Sequence, residues 1–289
     1  MLPPYIQPEK LRQFIENAFQ EDVGSGDHST KGAVPCDIKS KARLLVKSNG
    51  IIAGIEVARL IFQYYDPTLV FEPFKKDGDK VQKGEVAFIV SGNAGNILTC
   101  ERLVLNCMQR MSGIATKTYR YVQELEGTRT RLLDTRKTTP NFRMLEKWAV
   151  HIGGGTNHRF GLFDLIMLKD NHIDFAGSIT KAVFNTVEYL KTHNLNLRIE
   201  VETRSIEEVK EALATQSVDI IMLDNMPLEM MKEAVAIIDG KALIEASGGI
   251  TLEQLRPIAE IGVDFISVGA LTHSYNSLDL SLKAYERIN

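Results

Sequence analysis

From about residue 130 onward, short apolar runs recur at near-regular spacing, and most of them break off into charged residues at their C-terminal ends. The runs are 131–134, 164–168, 197–202, 218–223, 241–246 and 263–268. The first two are short apolar runs of strand length that switch abruptly to charged residues, so both read as buried strands, and the other four are further strand candidates. Between them stand segments of helical period, among them SITKAVFNTVEYLKT, SIEEVKEALAT and TLEQLRPIAEI. Six strand-helix units in a row predict a parallel sheet, and their near-equal length favours a TIM-type α/β barrel over an open doubly wound sheet. Six strands are counted where the standard barrel has eight.

The first hundred residues follow another pattern. Residues 9–21 place Leu11, Phe14, Ile15 and Phe19 on one helical face. From Lys41 the period turns to strand type, with Asn49–Gly50 predicting a hairpin turn. A helix is expected from Glu56 to about Tyr64, followed by short strands punctuated at Asp77–Gly78, Lys83–Gly84 and Ser91–Gly92. This portion reads as a small α+β domain. Residues 96–125 carry helical periodicity, with a break expected at Ser112–Gly113. Between the first two barrel strands, NFRMLEKWAV predicts a helix with Phe142, Leu145, Trp148 and Ala149 on one face, so that strand, helix and strand form a βαβ unit.

Composition narrows the class. The chain has 289 residues, 44% of them hydrophobic, enough for one large domain and a smaller one. A net charge of −3 supplies no global basic field, so a nucleic-acid partner is not expected. The three cysteines (Cys36, Cys100, Cys107) have no metal-type spacing, and an odd number argues against a disulfide framework. No apolar run has membrane-spanning length, and the first residues lack a leader pattern. A cytoplasmic protein with no membrane partner is the expectation.

The chemistry sits at the strand ends. Asp134 with Arg136 and Lys137, Lys169 with Asp170, Glu200 with Glu202, Asp224, Glu245 with Ser247, and Gly269 close successive strands, and His158–Arg159 follow the Gly153–Gly155 loop. In a barrel the C-terminal face carries the active site, so these groups converge on one pocket. Arg136, Arg159 and Lys169 brought together would repel one another unless an anion arrives. SGGI at 247–250 and VGA at 268–270 offer backbone N–H groups ahead of helix N-termini, the usual cradle for phosphate. A small phosphorylated substrate is expected.

The motifs TRKTTP, GGGxNHRxGLxD, LKDNHI, LDNM, EASGGI and ISVGALTHS resemble those of the quinolinate phosphoribosyltransferases, also called nicotinate-nucleotide pyrophosphorylases (carboxylating). The resemblance runs from EDVGSGDHST to LDLSLK. It implies an N-terminal α/β sandwich over residues 1–112, joined by the tail 273–289, and an incomplete six-stranded α/β barrel over 113–272. The implied reaction transfers the phosphoribosyl group of 5-phosphoribosyl 1-pyrophosphate (PRPP) to quinolinate, with loss of pyrophosphate and CO2, and yields nicotinate mononucleotide for NAD biosynthesis. By the same resemblance Arg102, Thr135, Arg136, His158, Arg159 and Lys169 hold quinolinate, with Arg102 crossing the interface of a homodimer; a hexamer is the larger assembly considered. Lys137, Glu202, Asp224, Ser247, Gly248, Gly249, Gly269 and Ala270 hold the phosphoribosyl part. Lys137, Lys169, Glu202 and Asp224 are the implied catalytic set, and Glu202 and Asp224 meet Mg2+ indirectly, through substrate or water. From the strand pattern alone Glu200 and Glu202 share a face and are not separated. ETRS at 202–205 departs from the family's usual apolar and acidic residues there.

Two other readings fit parts of the pattern. One is a Schiff-base aldolase of the same barrel class, with Lys169 as nucleophile. The other is a non-catalytic, transport-associated relative, against which the intact NHR, TRK and SGG motifs speak.

Overall fold

The computed structural model describes residue 3 and residues 5–288. In chain order the elements are helices α1 (Pro8–Val23) and α2 (His28–Ala33), strands β1 (Lys39–Val46) and β2 (Gly50–Ile51), helix α3 (Ile55–Tyr65), strands β3 (Val70–Pro73), β4 (Lys80–Val81) and β5 (Val86–Asn93), and the long helix α4 (Ala94–Glu124). There follow β6 (Arg131–Leu133), α5 (Arg143–Ile152), β7 (Ile166–Leu168), α6 (Asp170–Ala176), α7 (Ile179–Thr192), β8 (Ile199–Thr203), α8 (Ile206–Ala214), β9 (Ile220–Asp224), α9 (Leu228–Ile238), β10 (Leu243–Ser247), α10 (Leu252–Glu260), β11 (Phe265–Ser267), α11 (Ala270–His273) and β12 (Leu280–Ile288). The chain forms two compact units. The first takes the residues up to Tyr119, Thr138–Gly154 and those from Leu271 on; the second takes Arg120–Lys137 and Gly155–Ala270.

In the first unit the sheet runs β12-β1-β5-β3, antiparallel throughout. Ala42, Leu44 and Val46 of β1 are buried and Arg43 between them is exposed, the alternation of a one-sided sheet. Phe62 of α3 meets the rings of Phe71 on β3 and Phe88 on β5, both at 6.1 Å, and this ties the helix to the sheet. The last strand, β12, returns to the outer edge of β1, where Val46 faces Leu280.

Two expectations for this unit are corrected. Asn49–Gly50 makes no hairpin: both edges of β1 are already taken by β12 and β5, and β2 pairs antiparallel with β4 instead. The glycine at 50 serves close approach, because a Cβ there would stand 2.6 Å from Thr116 Oγ1 and from Leu278 Cδ1. Ser112–Gly113 is no break either, since α4 is continuous through both. The Ser112 hydroxyl accepts the Ala53 N–H at 2.9 Å and donates to the Ala53 carbonyl at 3.1 Å. A Cβ on Gly113 would lie 2.3 Å from the Asn276 carbonyl oxygen. The small residues here serve close contact and not a turn or a break. Gly113→Ala, which in an open helix would stabilise by about 1 kcal/mol, is therefore expected to destabilise by about 1–3 kcal/mol through overpacking, seen as a lower midpoint in chemical denaturation.

The second unit is a sheet of six parallel strands in the order β6-β11-β10-β9-β8-β7. That is the cyclic order of a barrel opened at one seam, between its first and second strands. At the seam Leu133 of β6 makes an isolated parallel bridge to Thr156, whose N–H donates to the Leu132 carbonyl at 2.8 Å. The barrel is thus six-stranded and incomplete, as expected. The first crossover is not the simple βαβ unit drawn from the pattern, because α5 belongs to the first unit. There Glu146, fully buried, is ion-paired with Arg110 and accepts the Thr139 N–H at 3.2 Å, and a Cβ on Gly153 would lie 2.6 Å from the Ala115 carbonyl. Trp148 is core, as expected, at 5% exposure.

Candidate active site

All the barrel strands run the same way, so their C-terminal ends open on one side, and there the second unit holds a pocket of about 590 Å³. β6 delivers Thr135, Arg136 and Lys137, the 154–159 segment delivers His158 and Arg159, β7 delivers Lys169, β8 Glu202, β9 Asp224, and β10 Ser247, Gly248 and Gly249. Eleven of the fourteen residues singled out from the sequence line this pocket. Gly269 and Ala270 do not line it, nor does Arg102, which is exposed on α4 of the first unit.

The lining also contains Met167, Met222, Asn225, Glu245 and Ser267. Glu245 was noted at a strand end but carried no assigned role. The signal for Met222 was available: it stands two residues before Asp224 and so shares that residue's face of the strand. Asn225 had only the LDN motif to mark it. It adopts a left-handed backbone (φ +53°), and its amide donates to Asp224 at 2.7 Å.

Asp134 organises the seam. Its carboxylate is fully buried and accepts the Asn157 side-chain amide at 2.6 Å and the His158 backbone N–H at 2.8 Å. Arg159 reaches the pocket with its guanidinium donating to the Leu165 carbonyl at 3.1 Å. Asp164 closes the following turn by accepting the Phe160 and Gly161 N–H groups. Burial, then the Arg136 charge beside it, lowers the pKa of Arg159. Two guanidiniums in mutual repulsion are a receptor for an anion.

The structure separates the two glutamates of β8. Glu202 is half-buried in the pocket wall, and burial followed by the nearby Asp224 charge raises its pKa, with Lys169 pulling the other way. Glu200 is fully buried beneath His158, with Oε2 3.2 Å from His158 Nε2; Glu245 Oε2 lies 3.3 Å from the same nitrogen. His158 Nδ1 accepts the Arg159 N–H at 2.6 Å. Burial opposes a charged imidazole, yet the two carboxylates prevail and raise the His158 pKa; with Nδ1 taken by the Arg159 N–H, the proton they hold is the one on Nε2. Burial likewise raises that of Glu200, with the Glu245 charge adding to it and the imidazole opposing.

His172 is exposed, and its Nδ1 accepts the Lys169 N–H at 3.0 Å, which caps α6. Lys169 is exposed as well, unlike the desolvated lysine a Schiff-base enzyme requires. After Glu202, the unusual ETRS stretch begins a helix: Ser205 caps α8 by accepting the Glu208 N–H, and Arg204 pairs with Glu208 at 2.9 Å.

Fold and site together define an α/β-barrel protein whose pocket is built for a small, multiply anionic substrate. Comparison with known proteins gives the family. The N-terminal domain of quinolinate phosphoribosyl transferase matches residues 27–112, and its C-terminal domain matches residues 114–283. A tobacco (Nicotiana tabacum) relative described as quinolinate phosphoribosyltransferase [decarboxylating] 2b, mitochondrial, is 49% identical, covering 97% of this chain and 84% of its own. A Synechocystis protein described as a probable nicotinate-nucleotide pyrophosphorylase [carboxylating] is 46% identical over 98% of this chain and 94% of its own. The crystal structure of NadC from Streptococcus pyogenes superposes with a TM-score of 0.92 at 39% identity, covering 99% of this chain and 100% of that one. The chain belongs to the quinolinate phosphoribosyltransferase family.

Proposed function

We infer that this protein transfers the phosphoribosyl group of PRPP to quinolinate and decarboxylates the product, giving nicotinate mononucleotide, pyrophosphate and CO2 in NAD biosynthesis. The observation that carries this reading is the division of one pocket into a cationic half, Arg136, Lys137, Arg159 and Lys169, and a half made of Glu202, Asp224 and the Ser247–Gly249 turn. The first half suits the paired carboxylates of quinolinate and the pyrophosphate. The second suits ribose hydroxyls and a 5-phosphate.

Arg136 and Arg159 hold the carboxylates in plane and aim the pyridine nitrogen at the anomeric carbon. As pyrophosphate departs, Lys137 and Lys169 neutralise its growing charge, while Glu202 and Asp224 face the oxocarbenium-like ribose. The carboxylate next to the ring nitrogen then leaves as CO2, its electrons passing to the quaternised ring. Orientation of that carboxylate is all this step asks of the protein. The Asp224 charge raises the proton affinity of Glu202 beside it, and two half-buried carboxylates so placed fit a divalent cation, so Glu202 and Asp224 would hold Mg2+ through substrate or water. Bound there, Mg2+ would offset charge on the pyrophosphate.

The exposed Arg102, outside the lining of the pocket, supports a homodimer in which a partner's Arg102 completes the carboxylate clamp. A hexamer would stack such dimers. No helix among the described residues is long and apolar enough to cross a membrane. Cys36, Cys100 and Cys107 are all free, which supports a reducing, cytoplasmic setting.

Incubation with quinolinate, PRPP and Mg2+ should form nicotinate mononucleotide and CO2 in equal amounts; no product would refute the assignment. Arg159→Ala removes at least one charge-assisted contact worth about 1.5–3 kcal/mol, so kcat/KM should fall about tenfold to hundredfold. Mixing Arg159→Ala with Arg102→Ala should restore part of the activity once subunits have exchanged. Unrestored activity after demonstrated exchange would argue against a shared site.

A further inference from the structure

The reaction as derived makes no use of Glu200 and Glu245. Both are buried, at 0% and 1% exposure, and among the described residues none of their four carboxylate oxygens has a hydrogen-bond partner beyond the His158 contact. Such a pair is costly to bury unless it holds something in place. We propose that Glu200 and Glu245 are positioning residues that grip His158 Nε2–H from beneath, fix the imidazole in the tautomer with Nδ1 bare, and thereby anchor Arg159 through its backbone N–H. The proposal rests on the functional reading above and deepens it, by naming what holds the carboxylate-binding arginine.

The chain of contacts is short. Nε2 lies 3.2 Å from Glu200 and 3.3 Å from Glu245, so one N–H is shared between two acceptors and the ring cannot swing toward either. The opposite nitrogen meets the Arg159 N–H at 2.6 Å, a distance that leaves no room for a hydrogen on Nδ1. Beyond that bond, the guanidinium of Arg159 is held by the Leu165 carbonyl at 3.1 Å. Arg159 is thus fixed at its backbone and at its head. It is the ring's orientation, and not a charge presented to the substrate, that His158 contributes.

His158, Glu200 and Glu245 also have the donor set of a cation site. A cation on Nε2 would need the ring hydrogen on Nδ1, where the Arg159 N–H already points, so the tautomer selects the proton-bridged form.

The tautomer is directly measurable. In wild-type enzyme labelled with 15N-histidine, and assigned by comparison with His158→Gln, the His158 ring should show an unprotonated Nδ1 and a protonated Nε2. Glu200→Gln and Glu245→Gln each replace an acceptor with a group that can donate to Nε2, so each should transfer population to the Nδ1–H tautomer. Each should also raise KM for quinolinate about tenfold and leave KM for PRPP within about twofold. Nδ1 protonated in the wild type, a stoichiometric divalent metal bound at this cluster, or equal rises in both KM values would overturn the proposal. A wild type inactive on quinolinate would sink the functional reading alone, because the imidazole measurement needs no substrate.

Discussion

Asp134→Ala is expected to lose at least about 3 kcal/mol of stability and more than a hundredfold in kcat/KM. The carboxylate is fully buried at the seam of the barrel and accepts hydrogen bonds from the Asn157 amide and the His158 N–H, at 2.6 and 2.8 Å. Alanine takes the acceptor from two part-buried donors and leaves a cavity beside them, and each bond to a charged acceptor is worth about 1.5–3 kcal/mol. For a chain of this size that loss lowers the melting temperature by roughly 5 °C. Activity falls further than stability, because the released segment carries both His158 and Arg159. Asp134→Asn is the discriminating variant. It preserves volume but turns one acceptor into a donor facing other donors, so it should come close to alanine in both melting temperature and kcat/KM. If the asparagine variant melts and turns over like wild type, Asp134 is a space-filler and the seam is held by other contacts.

Much of this site was legible because strand period and strand polarity are local properties. An apolar run ending in charged residues places those residues at a strand's C-terminus, and parallel strands bring such ends together; Arg136, Lys169, Glu202, Asp224 and Ser247 were found by that route. Glu200 and Glu202 illustrate the limit. A period of two puts both on one face, but depth along the barrel axis decides that one is sealed under His158 and the other lines the pocket, and depth depends on the register of neighbouring strands, such as Glu202 opposite Met222. Helix α5 shows another. Its apolar face was correct, yet the unit against which it packs is set by Arg110, which is distant in sequence. Gly50 and Gly113 were read as turn and break because glycine permits both. What they supply is room for Thr116 and Asn276, and sequence period carries no sign of such contacts.

The turn after β10 provides the second large effect, since its two glycines are expected to respond differently. Gly248 has φ +99°, and a Cβ there would stand 2.3 Å from Asn225 Oδ1 and 2.6 Å from the Asn225 backbone nitrogen. Asn225 is itself in a left-handed conformation, bonded to Asp224 and donating its N–H to the Ser247 carbonyl at 3.0 Å, so it cannot yield without disturbing the pocket wall at the ends of both β9 and β10. Gly249 has φ +59° but open space where a Cβ would go. Alanine at 249 therefore costs only the left-handed backbone, about 1–2 kcal/mol, whereas alanine at 248 adds a steric conflict that must move the strand end. Gly248→Ala should raise KM for PRPP by a hundredfold or more, with a smaller change for quinolinate. Gly249→Ala should raise it about tenfold or less, in keeping with the 1.4 kcal/mol that a factor of ten represents. Steady-state kinetics with each substrate varied in turn decides the matter. Equal effects of the two substitutions would mean that the turn acts by flexibility alone, and a larger rise in KM for quinolinate than for PRPP would assign the wrong half of the pocket to the phosphate.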